Sequence, residues 1–325
     1  MSGRQAVTKA APRSGPVDRP SPWRVGMAFA AIYGVWGSTY LAALVGLEGF
    51  PPLVLAGLRF SGAGLLLGAW CLYRDERLPG LRTVARNGLS GILMLAGGTG
   101  SVIWAEQHIS SGLAAILIAA EPLWFIAFDR RAWPAYFASR AIPLGLGIGL
   151  VGLLLVFCWP GTPATGPLHV GGSVAVLLGG ISWVVGSLYA KYRLAAHSPR
   201  LNGSLQLLAA GVFCLLLGTL LGEWRDFEWK DVPGRAWLAL AYMTSMGSVV
   251  AYTAYLWLLT VRPPAVVGTH TYVNPLVAVV LGWVFAQEPV LTSQVVALLV
   301  ILLGVGLVNL PKYRKTNQTP KPLSP

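Results

Sequence analysis

Charged side chains are scarce in this sequence. Only 11% of its 325 residues are Asp, Glu, Lys or Arg, whereas 55% are hydrophobic. Soluble domains usually carry about 25% charged residues, so the composition excludes an ordinary soluble protein. The mean hydropathy of +0.62 instead predicts a chain that crosses a membrane repeatedly.

Residues that build metal sites or catalytic centres are also few. The three cysteines form no CxxC pair, the four histidines are scattered, and no HExxH, GxSxG or Walker sequence is present. We therefore predict no metal site, no cofactor and no use of ATP by this chain. These cysteines and histidines are Cys71, Cys158, Cys214, His108, His169, His197 and His270.

Apolar segments of membrane-spanning length dominate what remains. A transmembrane helix needs about 20 mostly apolar residues, and the chain offers ten such segments, which makes it an all-α integral membrane protein. They lie at roughly 25–47, 51–73, 86–107, 110–130, 139–159, 170–192, 203–223, 236–260, 264–286 and 292–310.

The distribution of Lys and Arg predicts the orientation. With the N-terminus inside, the outer loops contain only Arg225, Lys230 and Arg235, while Arg59 lies within a span. All other basic residues fall in the tails and inner loops, as the positive-inside rule requires. We therefore predict that both termini are cytoplasmic. The net charge of +12 then reflects this bias and contact with anionic lipid headgroups, not binding of nucleic acid.

The sequence divides into two halves between basic tails. We predict disordered cytoplasmic tails at 1–24 and 311–325, because both are rich in proline and basic residues. The halves, 25–160 and 170–310, repeat each other: "GSTY" at 37–40 matches "GSLY" at 186–189, and "EPL" at 121–123 matches "NPL" at 274–276.

The number of spans in each half determines their relative orientation. Five is odd, so the second half must enter the membrane from the opposite side. The sequence therefore predicts two inverted five-helix repeats, an arrangement that secondary transporters use around a site near the membrane midplane.

Several separate motifs resemble one family. "GSTYLAALVGLEGFPPLVLAGLRFSGAGLLLGAW" and "SSGLAAILIAAEPLW" are similar to the first half of an EamA-type transporter of the drug/metabolite transporter superfamily. "GGISWVVGSLYAK", "GSVVAYTAYLWLL" and "THTYVNPLVAVVLGWVFAQEP" are similar to its second half. The resemblance implies a ten-helix protein of the bacterial inner membrane that exports amino acids, metabolites or toxic compounds. One departure is Asp129-Arg130-Arg131 after span four, where Glu288-Pro289 follows span nine.

Glu121 is the most informative single residue. It lies about eleven residues into span four, which at ~1.5 Å per residue is near the middle of a ~30 Å core. A charge there is costly, so Glu121 should face the bundle interior. Either it pairs with Arg59, or it contacts a cationic cargo group or binds a proton during transport. Arg59 in turn could hold a carboxylate of the cargo, or form a gate with Glu106 or Glu48 near the outer rim.

Other polar and aromatic residues are predicted at the same depth. Pro122 and Pro275 each remove a backbone donor near the midplane. We predict that the surrounding side chains line a cargo cavity, although Ser, Thr and Tyr also join helices by hydrogen bonds, and His270 could be an ordinary hydrogen-bonded residue or a proton relay. The predicted substrate-binding residues are Trp36, Ser38, Arg59, Glu121, Trp183, Ser187, Tyr252, Tyr255, His270, Tyr272 and Asn274.

These features together predict an inner-membrane secondary transporter. We expect an exporter of amino acids or small amphipathic metabolites or drugs that works by alternating access, driven by proton antiport through Glu121 or by facilitated diffusion. The alternative is a polytopic membrane enzyme acting on a lipid or lipid-linked substrate. The "GLGIG" at 145–149 predicts tight packing of span five against a neighbour or against a second protomer in a homodimer.

Overall fold

The computed structural model describes residues 21–137, 140–158, 167–194, 198–262, 267–268 and 270–316. Residues 1–20 and 317–325 of the predicted tails, and 159–166 of the predicted boundary between the halves, lie outside these ranges. The regular elements described are all helices. The long ones are α1 (Pro22–Gly46), α2 (Pro52–Tyr73), α3 (Leu81–Ala105), α4 (Ser111–Phe128), α5 (Ala141–Cys158), α6 (Pro167–Arg193), α7 (Pro199–Leu220), α8 (Gly234–Val261), α9 (His270–Ala286) and α10 (Thr292–Thr316).

These helices lie at the positions of the predicted apolar segments. Seven of them, α1 to α4 and α6 to α8, are long and apolar enough to cross a membrane. Shorter apolar stretches in α5, α9 and α10 cover Ala141–Gly152, His270–Ala286 and Thr292–Gly304. Large apolar side chains such as Leu66, Leu220 and Trp283 are exposed on the outside of the bundle, where lipid would cover them. The prediction of a helical membrane protein is confirmed.

Local sequence explains where several helices begin. Pro52 and Pro199 occupy first-turn positions, where the missing N–H costs nothing. The Ser110 and Ser198 hydroxyls accept from backbone N–H groups three residues later, each at 3.2 Å. Because Ser198 caps it, α7 begins at Pro199 rather than at the predicted residue 203.

Four irregular turns interrupt the helical ladder in the described parts of α1, α3, α4 and α8. In α4 the backbone turns at 119–120, directly before Glu121 and Pro122. Wider π-helical turns occur at Ala31–Val35 in α1, Ile92–Gly100 in α3 and Met243–Ala251 in α8. Such irregular turns release backbone groups that need other partners inside a membrane bundle.

The helices pack in pairs around the interior. α2 runs along α7, α5 along α10, and α3 contacts α6, while α9 contacts both α1 and α4. The predicted tight packing of the "GLGIG" segment occurs against α10 within the same chain. A Cβ added to Gly304 would lie 2.4 Å from the Gly149 nitrogen and 2.6 Å from the Gly145 oxygen. The motif therefore joins two helices of one protomer and gives no support to a dimer.

We predict that Gly304→Ala destabilises the protein by ~1–3 kcal/mol, because the added methyl group would meet backbone atoms that cannot move aside. The matched control is Gly306→Ala on the same helix, since a Cβ there has nothing within 4 Å. Melting of both variants in detergent, followed by size-exclusion chromatography, measures the difference. Equal melting temperatures for the two variants would contradict the close approach of α5 and α10.

Candidate functional site

A small cavity of about 90 Å³ lies among α1, α2, α3, α4, α6 and α9. It combines aromatic rings with one guanidinium and two carboxylates, and most of its charged lining is buried. We call it the charged cavity. Its lining residues are Trp36, Thr39, Tyr40, Ala43, Arg59, Gly98, Thr99, Val102, Ile103, Glu106, Ile118, Glu121, Trp183, His270 and Asn274.

A second, larger cavity of about 400 Å³ lies towards the connection between α6 and α7. We call it the wide cavity. Ser187, Gln206, Tyr255 and Lys191 contribute polar groups to it, and His270 lines both cavities. The two cavities therefore meet at His270.

Four aromatic side chains lie where the two cavities meet, and we call them the aromatic layer. Its members are Trp36 and Trp183, which line the charged cavity, Tyr255, which lines the wide cavity, and His270, which lines both. The Trp36 ring centroid lies 4.9 Å from that of His270, 5.2 Å from Tyr255 and 5.9 Å from Trp183. Edge-to-face and tilted ring pairs at such distances are favourable. The indole nitrogen of Trp36 donates to the Gly247 carbonyl at 3.0 Å, so the ring is held by the π-helical turn of α8.

Arg59 is buried and is held by α8 rather than by Glu121. Its Nε donates to the Ser248 hydroxyl at 2.9 Å, and its Nη1 lies 3.7 Å from the sulfur of Met243. Among the described residues no ion pair joins Arg59 to Glu121 within 4.0 Å. The predicted pair is thus two separate charges in one cavity.

Glu121 begins the second half of α4 and is 5% exposed. The turn at 119–120 places its carboxyl group in the charged cavity. The helix also lacks one backbone hydrogen bond at this point, because Pro122 has no N–H to donate. Glu121 is thus available to a cation or a proton that enters the cavity.

Glu106 is a cavity residue that the predicted site omitted. It comes directly after α3, is 4% exposed, and has two carboxylate oxygens without a hydrogen-bond partner. It interacts electrostatically with Arg59 and with Glu288. Its position at the end of an apolar segment indicates a rim residue by sequence, whereas the structure buries it.

Asn274 uses its amide to satisfy backbone carbonyls. With the amide nitrogen turned towards them, it donates to His270 at 3.0 Å and to Ile32 and Tyr33 at 3.1 Å. His270 Nδ1 lies 3.0 Å from the Val267 carbonyl and, since that oxygen only accepts, carries a hydrogen. Both residues line the charged cavity while holding its frame together.

The structure does not bring every predicted residue into the cavities. The Ser38 hydroxyl donates to Val35 and lies 2.6 Å from the hydroxyl of Tyr242. Tyr252 donates to Gln206 at 2.5 Å and stacks on Tyr255. These two residues and Tyr272 are not among the lining residues of either cavity. The charged cavity gathers Trp36, Arg59, Glu121, Trp183, His270 and Asn274, and the wide cavity Ser187, Tyr255 and His270.

A carboxylate from the segment after α9 holds the start of α4. Glu288, which comes after α9, accepts from the Ser111 and Gly112 backbone N–H groups at 2.9 and 3.3 Å and from the Ser111 hydroxyl at 2.8 Å. A negative charge is favourable at a helix N-terminus. We call this contact the Glu288 latch.

The opposite end of α4 is joined to a different helix. Asp129 accepts from the Tyr192 hydroxyl at 2.7 Å and from Lys191 at 3.3 Å, both on α6. Asp129 belongs to the Asp129-Arg130-Arg131 segment, at which the sequence departs from the family pattern. α4 is thus attached to the connection after α9 at one end and to α6 at the other.

Comparison with known proteins identifies the family. The model of the EamA-like transporter family matches residues 24–158 and again residues 170–310. This chain belongs to the EamA-like transporter family. The predicted family, and the prediction of a multi-pass inner-membrane transporter, are confirmed at this level.

Relatives from two bacteria cover most of this EamA-like chain. It is 37% identical over 291 residues to the uncharacterized inner membrane transporter YedA of Escherichia coli strain K12, covering 88% of this chain and 90% of that one. It is 24% identical over 289 residues to the uncharacterized transporter YvbV of Bacillus subtilis strain 168, covering 88% and 92%. These names favour a transporter over the alternative of a membrane enzyme.

A solved crystal structure shares the fold. It aligns with a TM-score of 0.64 at 21% identity and covers 90% of this chain and 98% of its own. At that identity the likeness concerns the fold alone.

We predict that Trp36→Phe destabilises the protein by about 1 kcal/mol, because it keeps a ring in the aromatic layer but leaves the Gly247 carbonyl without its donor. Trp283→Phe is the control, since Trp283 is 60% exposed on the outside of the bundle. Melting in detergent compares the two variants. A Trp36→Phe variant as stable as the control would show that Gly247 has another donor.

Proposed function

We propose that this chain is a secondary transporter of the inner membrane that exports amino acids or small amphipathic metabolites or drugs by alternating access. The observation that carries the proposal is the pair of cavities on either side of the aromatic layer. In alternating access a central site opens to one side of the membrane at a time. The charged cavity, at about 90 Å³, must widen to admit such a cargo.

The proposed architecture is ten spans in two inverted repeats, 25–160 and 170–310, with both termini cytoplasmic. The contacts between helices support it. If each helix is exchanged with its counterpart in the other half, every helix pair named above becomes either the same pair or another observed pair. α2 and α7 exchange places, as do α5 and α10, and the contact of α3 with α6 becomes that of α8 with α1. In this orientation the wide cavity faces the cytoplasm, and the Glu288 latch lies at the outer end.

The proposed cycle begins from this inward-facing arrangement. The Glu288 latch holds the outer ends of α4 and α9 together, while the wide cavity is the larger of the two. Cargo enters from the cytoplasm past Tyr255 and His270, the aromatic layer moves aside, and the latch opens to release cargo outside. Glu121 exchanges a proton with the outside during the return step.

The transport test uses purified protein in proteoliposomes preloaded with a panel of amino acids and cationic drugs. Efflux of one class, accelerated by an imposed pH gradient, is the expected result. An efflux rate that is the same with and without the pH gradient would indicate facilitated diffusion instead of proton-coupled export. Absence of efflux for the whole panel would count against the proposed cargo classes.

We predict that Glu121→Gln folds normally but loses the dependence of transport on the pH gradient. Its folded yield should be unchanged because no ion pair to Arg59 is broken, whereas the amide cannot bind the transported proton. Glu228→Gln on the exposed surface is the matched control. A full-rate Glu121→Gln protein that is still driven by the gradient would remove Glu121 from the coupling step.

We predict that Glu288→Gln opens the outer end of the charged cavity more often, because one neutral acceptor replaces a carboxylate held by three donors. A cysteine at Thr99, which lines this cavity, reports the opening through labelling by an impermeant maleimide added outside. The rate should rise several-fold in Glu288→Gln and stay unchanged in Glu228→Gln. Equal rates would show that the latch does not limit access.

A further inference from the structure

Glu106 is a buried charged group that the proposed transport cycle does not use. Both of its oxygens are buried and have no hydrogen-bond partner among the described residues, and the side chain lines the charged cavity. An unpartnered buried carboxylate is costly unless a positive charge or a proton neutralises it. Arg59, with which Glu106 interacts electrostatically, is the positive charge that the protein itself supplies to this cavity.

Counting charges in this cavity gives one unbalanced carboxylate. Arg59 supplies one positive charge, and Glu106 and Glu121 supply two negative charges when ionised. In a low-dielectric interior, two carboxylates in a cavity with a single guanidinium cannot both remain ionised without another positive charge. One position is thus left for either a proton or a cation, and filling it with one excludes the other.

Other titratable groups face this pair from the neighbouring helices. The His270 imidazole carries its hydrogen on Nδ1 towards Val267 and is counted as neutral. Glu288 interacts with Glu106. It is left out of the count because the backbone N–H groups at the start of α4 compensate its charge. The groups that face the two carboxylates are Tyr40 from α1, Arg59 from α2, His270 from α9 and Glu288 after α9.

The aromatic lining favours the same kind of occupant. Trp36 and Trp183 present their rings to the cavity, and aromatic faces attract cations. A monocation with an aromatic body would stack on these rings and place its charge between the carboxylates. An anion would add a second unbalanced negative charge, and a zwitterion would leave the existing one in place.

We infer that the cargo is an aromatic organic monocation, that it exchanges for one proton in the charged cavity, and that Glu106 together with Glu121 selects its charge. This inference rests on the proposed transport function and adds its substrate class. Arg59 compensates the carboxylate that the cargo does not, so the cavity holds one balanced and one exchangeable charge.

The test uses three probes with the same indole ring and different charges: tryptamine as the monocation, tryptophan as the zwitterion and indole-3-propionate as the anion. Calorimetry measures their binding to the purified full chain, and a pH indicator in weakly buffered detergent measures proton release. Tryptamine should bind at least ~10-fold more tightly than the other two. It should also release about one proton per molecule bound at a pH where the cavity holds one.

Variants of the two carboxylates test the charge count. Glu106→Gln and Glu121→Gln should each lose the preference for tryptamine and its proton release, since either change leaves the cavity neutral. The double variant leaves Arg59 unbalanced and should prefer indole-3-propionate. Glu106→Asp keeps the charge and should keep the preference for tryptamine over indole-3-propionate. Glu228→Gln on the surface is the control and should behave as wild type. If Glu106→Gln fails to fold, Glu121→Gln and the wild-type proton count still decide.

The contrary outcomes are distinct from failure of the proposed function. Tryptophan bound as tightly as tryptamine, with no proton released, would overturn the inference and leave an amino-acid exporter in place. Tighter binding of indole-3-propionate by the wild type would overturn the charge count directly. Absence of binding by all three indoles would overturn the aromatic monocation, while the proteoliposome panel would test transport of other classes separately.

Discussion

Backbone carbonyls released inside the bundle determine how the charged cavity is built. In hydrocarbon each such carbonyl needs a donor from the protein, and the irregular turns of α1, α3 and α8 release several. Asn274 donates to Ile32 and Tyr33 in the first of these turns, Ser182 to Leu93 in the second, and Trp36 to Gly247 in the third.

The donors to these carbonyls also form part of the cavity wall. Trp36 and Asn274 both line the charged cavity. The residues that satisfy the backbone therefore shape the site as well. A change of helix position on one side of the cavity must exchange these hydrogen bonds together with the aromatic contacts, which favours a few discrete arrangements over continuous deformation.

The turn in α4 shows how the same constraint positions a charge. Pro122 cannot donate to the helix, so the ladder opens next to Glu121. Neighbouring helices tolerate this opening because it faces the cavity rather than lipid. The proline thus accounts for the position of the carboxyl group, and the carboxyl group accounts for the need of a positive partner or a proton.

Apolar segments of membrane-spanning length predict the helices without knowledge of contacts, and the matched "EPL" and "NPL" motifs predict the repeat. The family follows from the resemblance of several motifs in each half to EamA-type transporters. Six of the predicted site residues line the charged cavity because depth along a span can be estimated from residue number.

The same reasoning does not predict the direction in which a side chain faces around its helix. Ser38 lies at the expected depth yet turns towards Tyr242, because the π-helical turn at Ala31–Val35 alters the register of the rest of α1. Glu106 shows the opposite case: its residue number places it at the rim, but its side chain is buried and lines the charged cavity. Only the arrangement of neighbouring helices distinguishes a buried carboxylate from an interfacial one.

The two acidic contacts at the ends of α4 join it to different partners. Glu288 holds the start of α4 through two backbone N–H groups and a hydroxyl, whereas Asp129 holds the far end through Lys191 and Tyr192 of α6. Both contacts are charge-assisted, because a carboxylate is the acceptor in each. Movement of α4 relative to the segment after α9 must therefore break the first contact, and movement relative to α6 must break the second. Each contact thus couples one end of α4 to one neighbouring element.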